Sequence, residues 1–249
     1  MRVIVNPKYK KLKSFINELP QKFDTSGESI YKGRNEIKVF DCDGIKLNVK
    51  SFKIPHLINK VAYAWLRGSK AKHSFEYGMR LIHLGVETPE PVAYIEIRKN
   101  GLLYSSYYIC LHHMYDYTIR EIVLGEREYE KELIEKFAEF TYNKHQAGVL
   151  HLDYSPGNIL ISEKQNQYKF SIVDINRIRF KEVTPQMGLN NLAKLWAEEN
   201  FLIGLAKEYA KLSGLKDEVA VDLLLKYDHQ HKEKKLRKKR IKEFIRNGK

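Results

Sequence analysis

Residues 151–158 read HLDYSPGN, and residues 173–176 read VDIN. The Pro-Gly pair in the first stretch is typical of a turn. A turn explains neither the carboxylates of Asp153 and Asp174 nor the amide of Asn158, which follows Asp153 by five positions. We therefore ask which chemistry needs two carboxylates and an amide in this order.

Transfer of a γ-phosphoryl group is one answer. The acceptor hydroxyl needs a carboxylate that takes its proton, and the triphosphate needs a lysine and Mg²⁺ held by hard oxygen ligands. Protein kinases supply these groups from a D-x-x-x-x-N loop and from an aspartate after the next hairpin. Asp153 and Asn158 fit the loop, His151 precedes it, and Asp174 ends a hairpin predicted in ILISEKQNQYKFSIV. The alternative is an Asx-type turn with polar surface residues.

A second candidate pair lies upstream. Kinases pair a lysine on the third strand of the small lobe with a glutamate on the next helix, so that the lysine meets the α- and β-phosphates. Lys50 lies on a predicted third strand, in LNVKSF, and Glu76 lies in the helix predicted to follow. Lys53 is the alternative lysine, because a slip in strand register changes which side chain faces the site.

The segment that covers the phosphates in kinases is less well defined here. GESIYKGRNEI contains Gly27 and Gly33 but no G-x-G-x-x-G. Backbone amides could approach phosphates there, and Lys32 or Arg34 could add charge. We assign no site residue in this segment.

Strand and helix signals indicate an α+β chain. SIYKGRNEIKVF and GIKLNVKSFKI are β-rich and joined by an Asp-Gly turn. SKAKHSFEYGMRLIHLG predicts one helix, with Ser69 as its N-cap, Gly85 after its end, and Phe75, Met79 and Ile82 at helical spacing. EKELIEKFAEFTYNKHQAG predicts an amphipathic helix before the catalytic loop, and the chain from Asn190 onward also has a helical pattern.

These signals predict a small lobe of antiparallel strands with one inserted helix, followed by a mainly helical second half. The predicted parts are an N-terminal lobe 1–113, a C-terminal lobe 114–231 with the catalytic loop, and a basic tail 232–249.

The charge is concentrated at the C-terminus. The net charge is +13, and the last eighteen residues hold ten Lys or Arg and two Glu, so this tail carries +8 and the rest +5 (13 − 8). Ile241, Phe244 and Ile245 would share one helical face. A basic amphipathic helix can lie on an anionic membrane surface or contact nucleic acid or an acidic partner. The alternative is a terminal helix that packs its apolar face on the body.

Other bulk features favour a cytoplasmic protein. Cys42 and Cys110 fit no metal spacing, and we expect reduced thiols. The N-terminal MRVIVNPKYK lacks the apolar stretch of a secretory signal, and no run approaches the roughly 18 apolar residues of a membrane helix.

The segments HLDYSPGNIL, IVDINRIRF and SKAKHSFEYG…GVETPEPVAYIE resemble the lipopolysaccharide kinase family over about residues 25 to 200. These enzymes phosphorylate Kdo and heptose in Gram-negative bacteria and are related to protein kinases. The resemblance implies a bilobal protein-kinase-like fold, with a small antiparallel N-lobe, one αC-like helix and a reduced, mainly helical C-lobe. It also implies ATP-dependent phosphorylation of a sugar hydroxyl in the lipopolysaccharide inner core, with ATP and Mg²⁺ as cofactors. Leu152 stands where the family often has glycine, and Asp174-Ile175-Asn176 stands where protein kinases have D-F-G.

The resemblance also implies a role for each candidate residue. Asp153 would be the base, Asn158 and Asp174 the Mg²⁺ ligands, Lys50 the phosphate lysine and Glu76 its partner. These five side chains are expected to meet at one nucleotide-bound magnesium in a cleft between the lobes.

The segment after Asp174 indicates the kind of acceptor. Only about fifteen residues separate Asp174 from a helix expected near Asn190, which is too short for the activation segment and A-P-E anchor with which protein kinases dock peptides. A small or sugar-like acceptor fits this short segment better than a peptide does. Together with the family resemblance this implies a glycolipid acceptor. The basic tail would suit a peripheral contact with the cytoplasmic face of the inner membrane, and we expect no nucleic-acid partner. The alternatives are a RIO-like protein serine kinase and a non-catalytic kinase-fold binding protein.

Overall fold

The computed structural model describes residues 1–52, 68–165 and 167–247. The chain forms two compact units. Unit 1 comprises Met1–Met114 and Asp174–Asn176, and unit 2 comprises Tyr115–Val173 and Arg177–Lys249. The short segment that contains Asp174 thus belongs with the N-terminal unit.

Unit 1 is built on a six-stranded sheet in which all neighbouring strands are antiparallel. Its strands are β1 (Arg2–Val5), β2 (Glu28–Lys32), β3 (Glu36–Cys42), β4 (Ile45–Ser51), β5 (Pro91–Lys99) and β6 (Leu102–Leu111). Their spatial order is β1-β5-β6-β4-β3-β2. The described residues of this unit also form the helices α1 (Lys13–Lys22) and α2 (Lys70–His83), and a 3₁₀ segment (Pro7–Leu12) precedes α1.

The alternation of side chains in β6 separates two cores. Tyr107 and Ile109 belong to a cluster with Ile16 and other residues of α1, whereas Tyr108 and Cys110 belong to a cluster with α2. Successive side chains of a strand point to opposite faces, so α1 and α2 cover opposite faces of the sheet. Lys50 pairs with Tyr108 across β4 and β6. Its side chain therefore lies on the α2 face.

Helix α2 begins and ends as predicted. Ser69 Oγ accepts a hydrogen bond from the Lys72 backbone N at 3.1 Å, and Gly85 follows the helix with φ +72°. The predicted apolar face was only partly right, because Phe75 is buried but Met79 and Ile82 are 37% and 44% exposed.

Small residues of α2 instead lie against the sheet: Ala71, Ser74 and Gly78 are buried with Phe75 and Leu81. The sequence interpretation also missed β1 and α1. Helix α1 contains Pro20, and Ile16 and Leu19 are its fully buried side chains. The apolar pattern in its sequence is therefore too short and weak to predict a helix.

Unit 2 contains short strands, the helices and the loop of residues 151–158. Its strands are β7 (Tyr117–Thr118), β8 (Val149–His151), β9 (Ile159–Lys164), β10 (Gln167–Ile172) and β11 (Ile178–Phe180). Its helices are α3 (Ile119–Val123), α4 (Lys131–Gln146), α5 (Pro185–Leu192), α6 (Glu199–Ser213) and α7 (Asp217–Asn247). The β9–β10 hairpin forms as predicted, and α5 begins earlier than the expected helix near Asn190.

Helix α7 continues through the residues predicted as a separate basic tail, since it runs unbroken from Asp217 to Asn247. Its exposed side chains include Leu236 and Ile241. Within the described part of the chain, no helix combines the length and the apolar character needed to cross a membrane.

Candidate active site

The loop that follows β8 is fixed by its histidine. His151 is fully buried, its Nδ1 accepts a hydrogen bond from the Asp153 backbone N at 3.1 Å, and its Nε2 lies 3.1 Å from the Val173 carbonyl. An imidazole nitrogen that accepts an N–H carries no proton, so the proton is on Nε2 and is donated to Val173. His151 thus connects the turn before Asp153 to the strand end before Asp174.

Asn158 closes the same loop. Its Nδ2 donates to the Asp153 carbonyl at 2.9 Å, and the backbone carbonyl of Asn158 accepts from Val173 N at 3.0 Å. Because the contact with a carbonyl identifies the donor end of the amide, Oδ1 is the end of the Asn158 amide that does not face the Asp153 carbonyl. The side chain therefore presents an oxygen, which is the atom that a metal ligand must offer.

Lys50 and Asp174 meet within unit 1. Lys50 Nζ lies 2.7 Å from Asp174 Oδ1, and the Asn176 amide donates to the same oxygen. Asp174 has φ +54°, in the left-handed region that residues other than glycine occupy at a cost. Lys50 also lies 5.3 Å from the centre of the Phe52 ring. Asp174 thus combines an uncommon backbone conformation with a direct contact to Lys50.

The predicted partner of Lys50 lies elsewhere. Among the described residues, the recorded ion pair of Glu76 is with Lys72, at 3.6 Å and one helical turn away, and the structure does not bring Glu76 to Lys50. The side chain of Glu76 is 49% exposed. The alternative lysine, Lys53, lies outside the described residues.

Two cations accompany the carboxylate of Asp153. Arg177 Nη1 lies 3.7 Å from Asp153 Oδ2, and the side chains are 54% and 46% exposed. Lys194 Nζ donates to the Leu152 carbonyl at 2.9 Å. Burial lowers the pKa of Lys194, and the charge of Asp153 opposes that shift. The candidate base is therefore open to solvent on one side and bordered by positive charge.

A buried polar network contacts the backbone of the loop of residues 151–158. The sequence interpretation did not identify this network. Asn191, on α5, donates from Nδ2 to the His151 carbonyl at 2.8 Å. Its Oδ1 lies 3.2 Å from both Lys144 Nζ and His145 Nε2, and His145 Nδ1 lies 2.9 Å from the Tyr209 hydroxyl. Three helices thus contribute side chains that converge on the backbone of the catalytic loop.

The charges in this network are unusual. Lys144 is 1% exposed, and its ammonium position lies 4.0 Å from the centre of the Tyr154 ring. Burial lowers the pKa of Lys144 well below its ordinary value, and burial with the neighbouring Lys144 lowers the pKa of His145. A signal was present in the sequence: Thr141, Lys144 and His145 follow Phe137 at helical spacing, on the face of α4 that should be apolar.

The side chains of Asn158 and Asp174, the two predicted Mg²⁺ ligands, each offer an oxygen. The described ranges contain no group of three or more His, Cys, Asp or Glu that could hold a metal. Mg²⁺ does not require one, because proteins bind it through one or two side-chain oxygens together with water and substrate phosphates. Asn158 offers an amide oxygen, and both described contacts of Asp174 use Oδ1. The two predicted ligands have the chemistry that the ion needs.

Comparisons with solved structures and with curated proteins show what this chain is similar to. A structure described as WaaP in complex with acyl carrier protein is similar with a TM-score of 0.63 and 18% identity, and the match covers 94% of this chain and 99% of that chain. A mutant of the PknI kinase domain of Mycobacterium tuberculosis matches with a TM-score of 0.46 and 14% identity, over 79% of this chain and 85% of that chain. A search of curated proteins gave no match.

The predicted protein-kinase-like fold, with an antiparallel N-terminal sheet and a mainly helical remainder, is confirmed by the match to WaaP. The model of the lipopolysaccharide kinase (Kdo/WaaP) family matches residues 37–211, which is well over half of the chain. The chain therefore belongs to the lipopolysaccharide kinase (Kdo/WaaP) family.

Proposed function

We propose that this protein is an ATP- and Mg²⁺-dependent kinase that phosphorylates a sugar hydroxyl, of Kdo or heptose, in the lipopolysaccharide inner core. The observation that carries the proposal is the loop from His151 to Asn158. The His151 ring and the Asn158 amide hold the backbone of Asp153 by hydrogen bonds, and the Asp153 carboxylate is half-exposed. Membership of the family supports phosphoryl transfer and lipopolysaccharide as the general substrate.

Each residue has a distinct role in this proposal. The carboxylate of Asp153 orients the acceptor hydroxyl and takes its proton. Lys50 carries the positive charge for the α- and β-phosphates, while Asn158 and Asp174 provide oxygen ligands for Mg²⁺. The ion, when bound, neutralises charge that develops on the transferred group.

Glu76 is the least supported member of the set. The pair between Lys50 and Glu76 remains a prediction, since the described contact of Lys50 is with Asp174. We expect Glu76→Gln to affect turnover less than loss of Lys50 does, because the side chain of Glu76 is half-exposed and contacts Lys72. A larger loss in Glu76→Gln would show that Lys50 changes partner when nucleotide binds.

The length of the segment after Asp174 favours a small acceptor. Residues 175–184 hold a 3₁₀ turn and the short strand β11, and α5 begins at Pro185. Protein kinases use a longer segment with an A-P-E anchor to hold an extended peptide. A sugar needs no such platform.

Phosphate transfer tests the proposal directly. Purified enzyme with ATP, Mg²⁺ and a lipid A precursor that carries Kdo, or Kdo and heptose, is expected to release ADP and to add one phosphate to the glycolipid, measured by mass spectrometry. Asp153→Ala is expected to lose at least about 100-fold in kcat. Asp222→Ala, an exposed aspartate on α7, is the matched control. Equal activity in the wild type and Asp153→Ala contradicts the proposal.

We also propose that the protein works at the cytoplasmic face of the inner membrane, bound through the basic end of α7. Lys234, Arg237 and Lys238 are exposed there, beside the exposed apolar side chain of Leu236. Basic residues near an anionic surface contribute about 1 kcal/mol each, screened by salt. Flotation with phosphatidylglycerol vesicles is expected to recover the protein at low salt, and Lys234→Glu/Lys238→Glu is expected to abolish recovery. Salt-independent flotation would contradict this contact.

A further inference from the structure

Positive charge exceeds negative charge around the candidate base. Asp153 supplies one carboxylate, Arg177 lies 3.7 Å from it, and Lys194 is fixed 2.9 Å from the carbonyl of the preceding residue, Leu152. Burial lowers the pKa of Lys194, and the negative charge of Asp153 opposes that shift. One carboxylate and two cations leave the site with a surplus of positive charge that an anion can neutralise.

The backbone fixes where Arg177 stands. Leu152 N donates to the Arg177 carbonyl at 2.8 Å, and the next residue, Ile178, pairs with His151 between β11 and β8. Arg177 is therefore attached to the same turn that carries Asp153. Its position relative to the base does not depend on a flexible loop.

Within the described part of the chain, the contact between Arg177 and Asp153 leaves most of the guanidinium nitrogens without a hydrogen bond. At 3.7 Å it is longer than the roughly 2.7–2.9 Å of a charge-assisted hydrogen bond, and it involves one nitrogen of a group with several donors. The side chain is 54% exposed. Arginine presents a planar fork that matches a carboxylate or a phosphate in two parallel hydrogen bonds. The geometry suits a ligand better than it suits a structural ion pair.

We propose that Arg177 and Lys194 bind an acidic group of the acceptor, a carboxylate or a phosphate, next to the hydroxyl that Asp153 deprotonates. This inference rests on the proposed function and specifies its substrate class as an anionic sugar. A hydroxyl held by Asp153 at about 2.7 Å brings the substituents of its neighbouring carbons within reach of a cation beside the same carboxylate. Arg177 and Lys194 then determine which hydroxyl meets the base.

A comparison of acceptors tests the proposal. Arg177→Gln and the wild type are assayed with the glycolipid that the enzyme phosphorylates, with the same glycolipid after methyl esterification of its carboxylates, and after removal of its phosphates by phosphatase. Arg177→Gln is expected to lower kcat/KM about 10- to 100-fold for the untreated acceptor, the range of a charged hydrogen bond. With the acceptor that lacks the recognised anion, Arg177→Gln and the wild type are expected to have the same kcat/KM.

If the difference in kcat/KM between Arg177→Gln and the wild type disappears with the esterified acceptor, the recognised group is a carboxylate. If it disappears with the dephosphorylated acceptor, the recognised group is a phosphate. Arg179→Gln is the matched control, since it removes one exposed arginine from β11, two residues further along, and is expected to leave all three values of kcat/KM unchanged. Lys194→Met is expected to repeat the selectivity of Arg177→Gln, and Lys194→Arg to restore it. Rescue by arginine separates loss of charge from a general loss of folding.

Two outcomes overturn the inference in different ways. An equal loss with all three acceptors, or a change confined to KM for ATP, means that Arg177 serves the nucleotide and that the acceptor site is elsewhere. In that case the proposed kinase activity stands. A wild-type enzyme that phosphorylates none of the three contradicts the proposed function and, with it, this inference.

Discussion

Lys50 and Asp174 are 124 positions apart in the chain, and their side chains meet at 2.7 Å. The Asn176 amide donates to the same carboxylate oxygen, Oδ1. A lysine and an amide thus orient one oxygen of Asp174, while its left-handed backbone conformation sets the direction of the carboxylate. The two predicted nucleotide-site residues of unit 1 are already in contact before any ligand is considered.

Replacement of Lys50 by Met should reveal the value of this contact. We expect kcat to fall by about 100-fold or more, because a preorganised positive charge near the reacting phosphates contributes two to three orders of magnitude. We expect the free energy of unfolding to fall by only about 1–2 kcal/mol. The loss stays small because the Asp174 side chain is 32% exposed and keeps access to water when its partner is lost. Steady-state kinetics and urea unfolding measure the two effects.

Lys46→Met is the control for Lys50→Met. Lys46 lies on β4 four residues before Lys50, so it projects from the same face of the strand, and it is exposed. Its replacement should change neither kcat nor stability by a measurable amount. If both variants lose activity equally, the charge of the strand matters rather than the contact with Asp174.

Asn191 should act on catalysis through the backbone of the loop. Asn191→Asp keeps an oxygen toward Lys144 but places a second oxygen against the His151 carbonyl, where the amide donated at 2.8 Å. We expect kcat to fall about tenfold, with a smaller effect on stability than in Asn191→Leu. The leucine removes the amide that donates to the His151 carbonyl and the oxygen that accepts from Lys144, and should cost about 2–3 kcal/mol. Kinetics and urea unfolding of both variants give the comparison.

A parallel loss of activity and stability in the two Asn191 variants would contradict this role. It would mean that Asn191 only stabilises unit 2. A loss of kcat that exceeds the loss of stability, in Asn191→Asp alone, identifies a residue that positions the catalytic loop.

The sequence predicted the groups that lie close together in the chain. Asp153, Asn158 and the hairpin before Asp174 are set by local turn and strand chemistry, and the structure has that loop and hairpin. Ser69 and Gly85 bound α2 as predicted, because caps depend on residues within one turn. The kinase-like fold follows from the order of these local signals.

The sequence could not predict contacts that depend on packing between distant elements. Lys144 and Asn191 are 47 residues apart, and only the packing of α4 against α5 brings them together. Glu76 was chosen by its position in α2, but Ser74, Phe75 and Gly78 face the sheet and turn Glu76 outward to Lys72. The rotation of a helix with a weak apolar stripe is decided by side-chain fit, which spacing alone does not encode.

Gly78 should be needed for the close approach of α2 to the site. A Cβ at this position would lie 2.5 Å from Pro91 Cγ and 3.1 Å from Ile175 Cδ1, next to Asp174. Gly78→Ala should therefore destabilise the protein by about 1–3 kcal/mol despite the higher helix propensity of alanine, and should lower kcat by displacing Ile175. Thermal unfolding and kinetics measure both.

Gly204→Ala is the matched control in a helix. Its Cβ would meet Ile134 Cδ1 at 3.3 Å, the flexible end of one side chain, so the change should be neutral or stabilising by up to about 1 kcal/mol. A Gly78→Ala variant as stable as Gly204→Ala would mean that α2 is not held against Pro91 and Ile175 as described.

Buried Lys144 should make the stability of unit 2 depend on pH. Its pKa in the folded protein is lowered well below 10.5 by burial, whereas the unfolded chain binds the proton up to its ordinary pKa. Between these two pKa values the unfolded state binds more protons, so the free energy of unfolding rises with pH by up to about 1.4 kcal/mol per unit. Lys144→Met removes this group, and the difference between wild type and variant should grow in favour of the wild type from about pH 7.5 to about pH 9.5.

Urea unfolding at several pH values in this range measures that difference. Lys136→Met is the control, because it replaces an exposed lysine on the same helix. It shows how much the loss of a lysine from α4 changes stability when that lysine is not buried. If the difference between wild type and Lys144→Met stays constant with pH, Lys144 binds its proton in the folded state. The contact with Asn191 Oδ1 would then be a charged hydrogen bond, and Lys144→Met should cost more at every pH than the loss of a neutral amine donor.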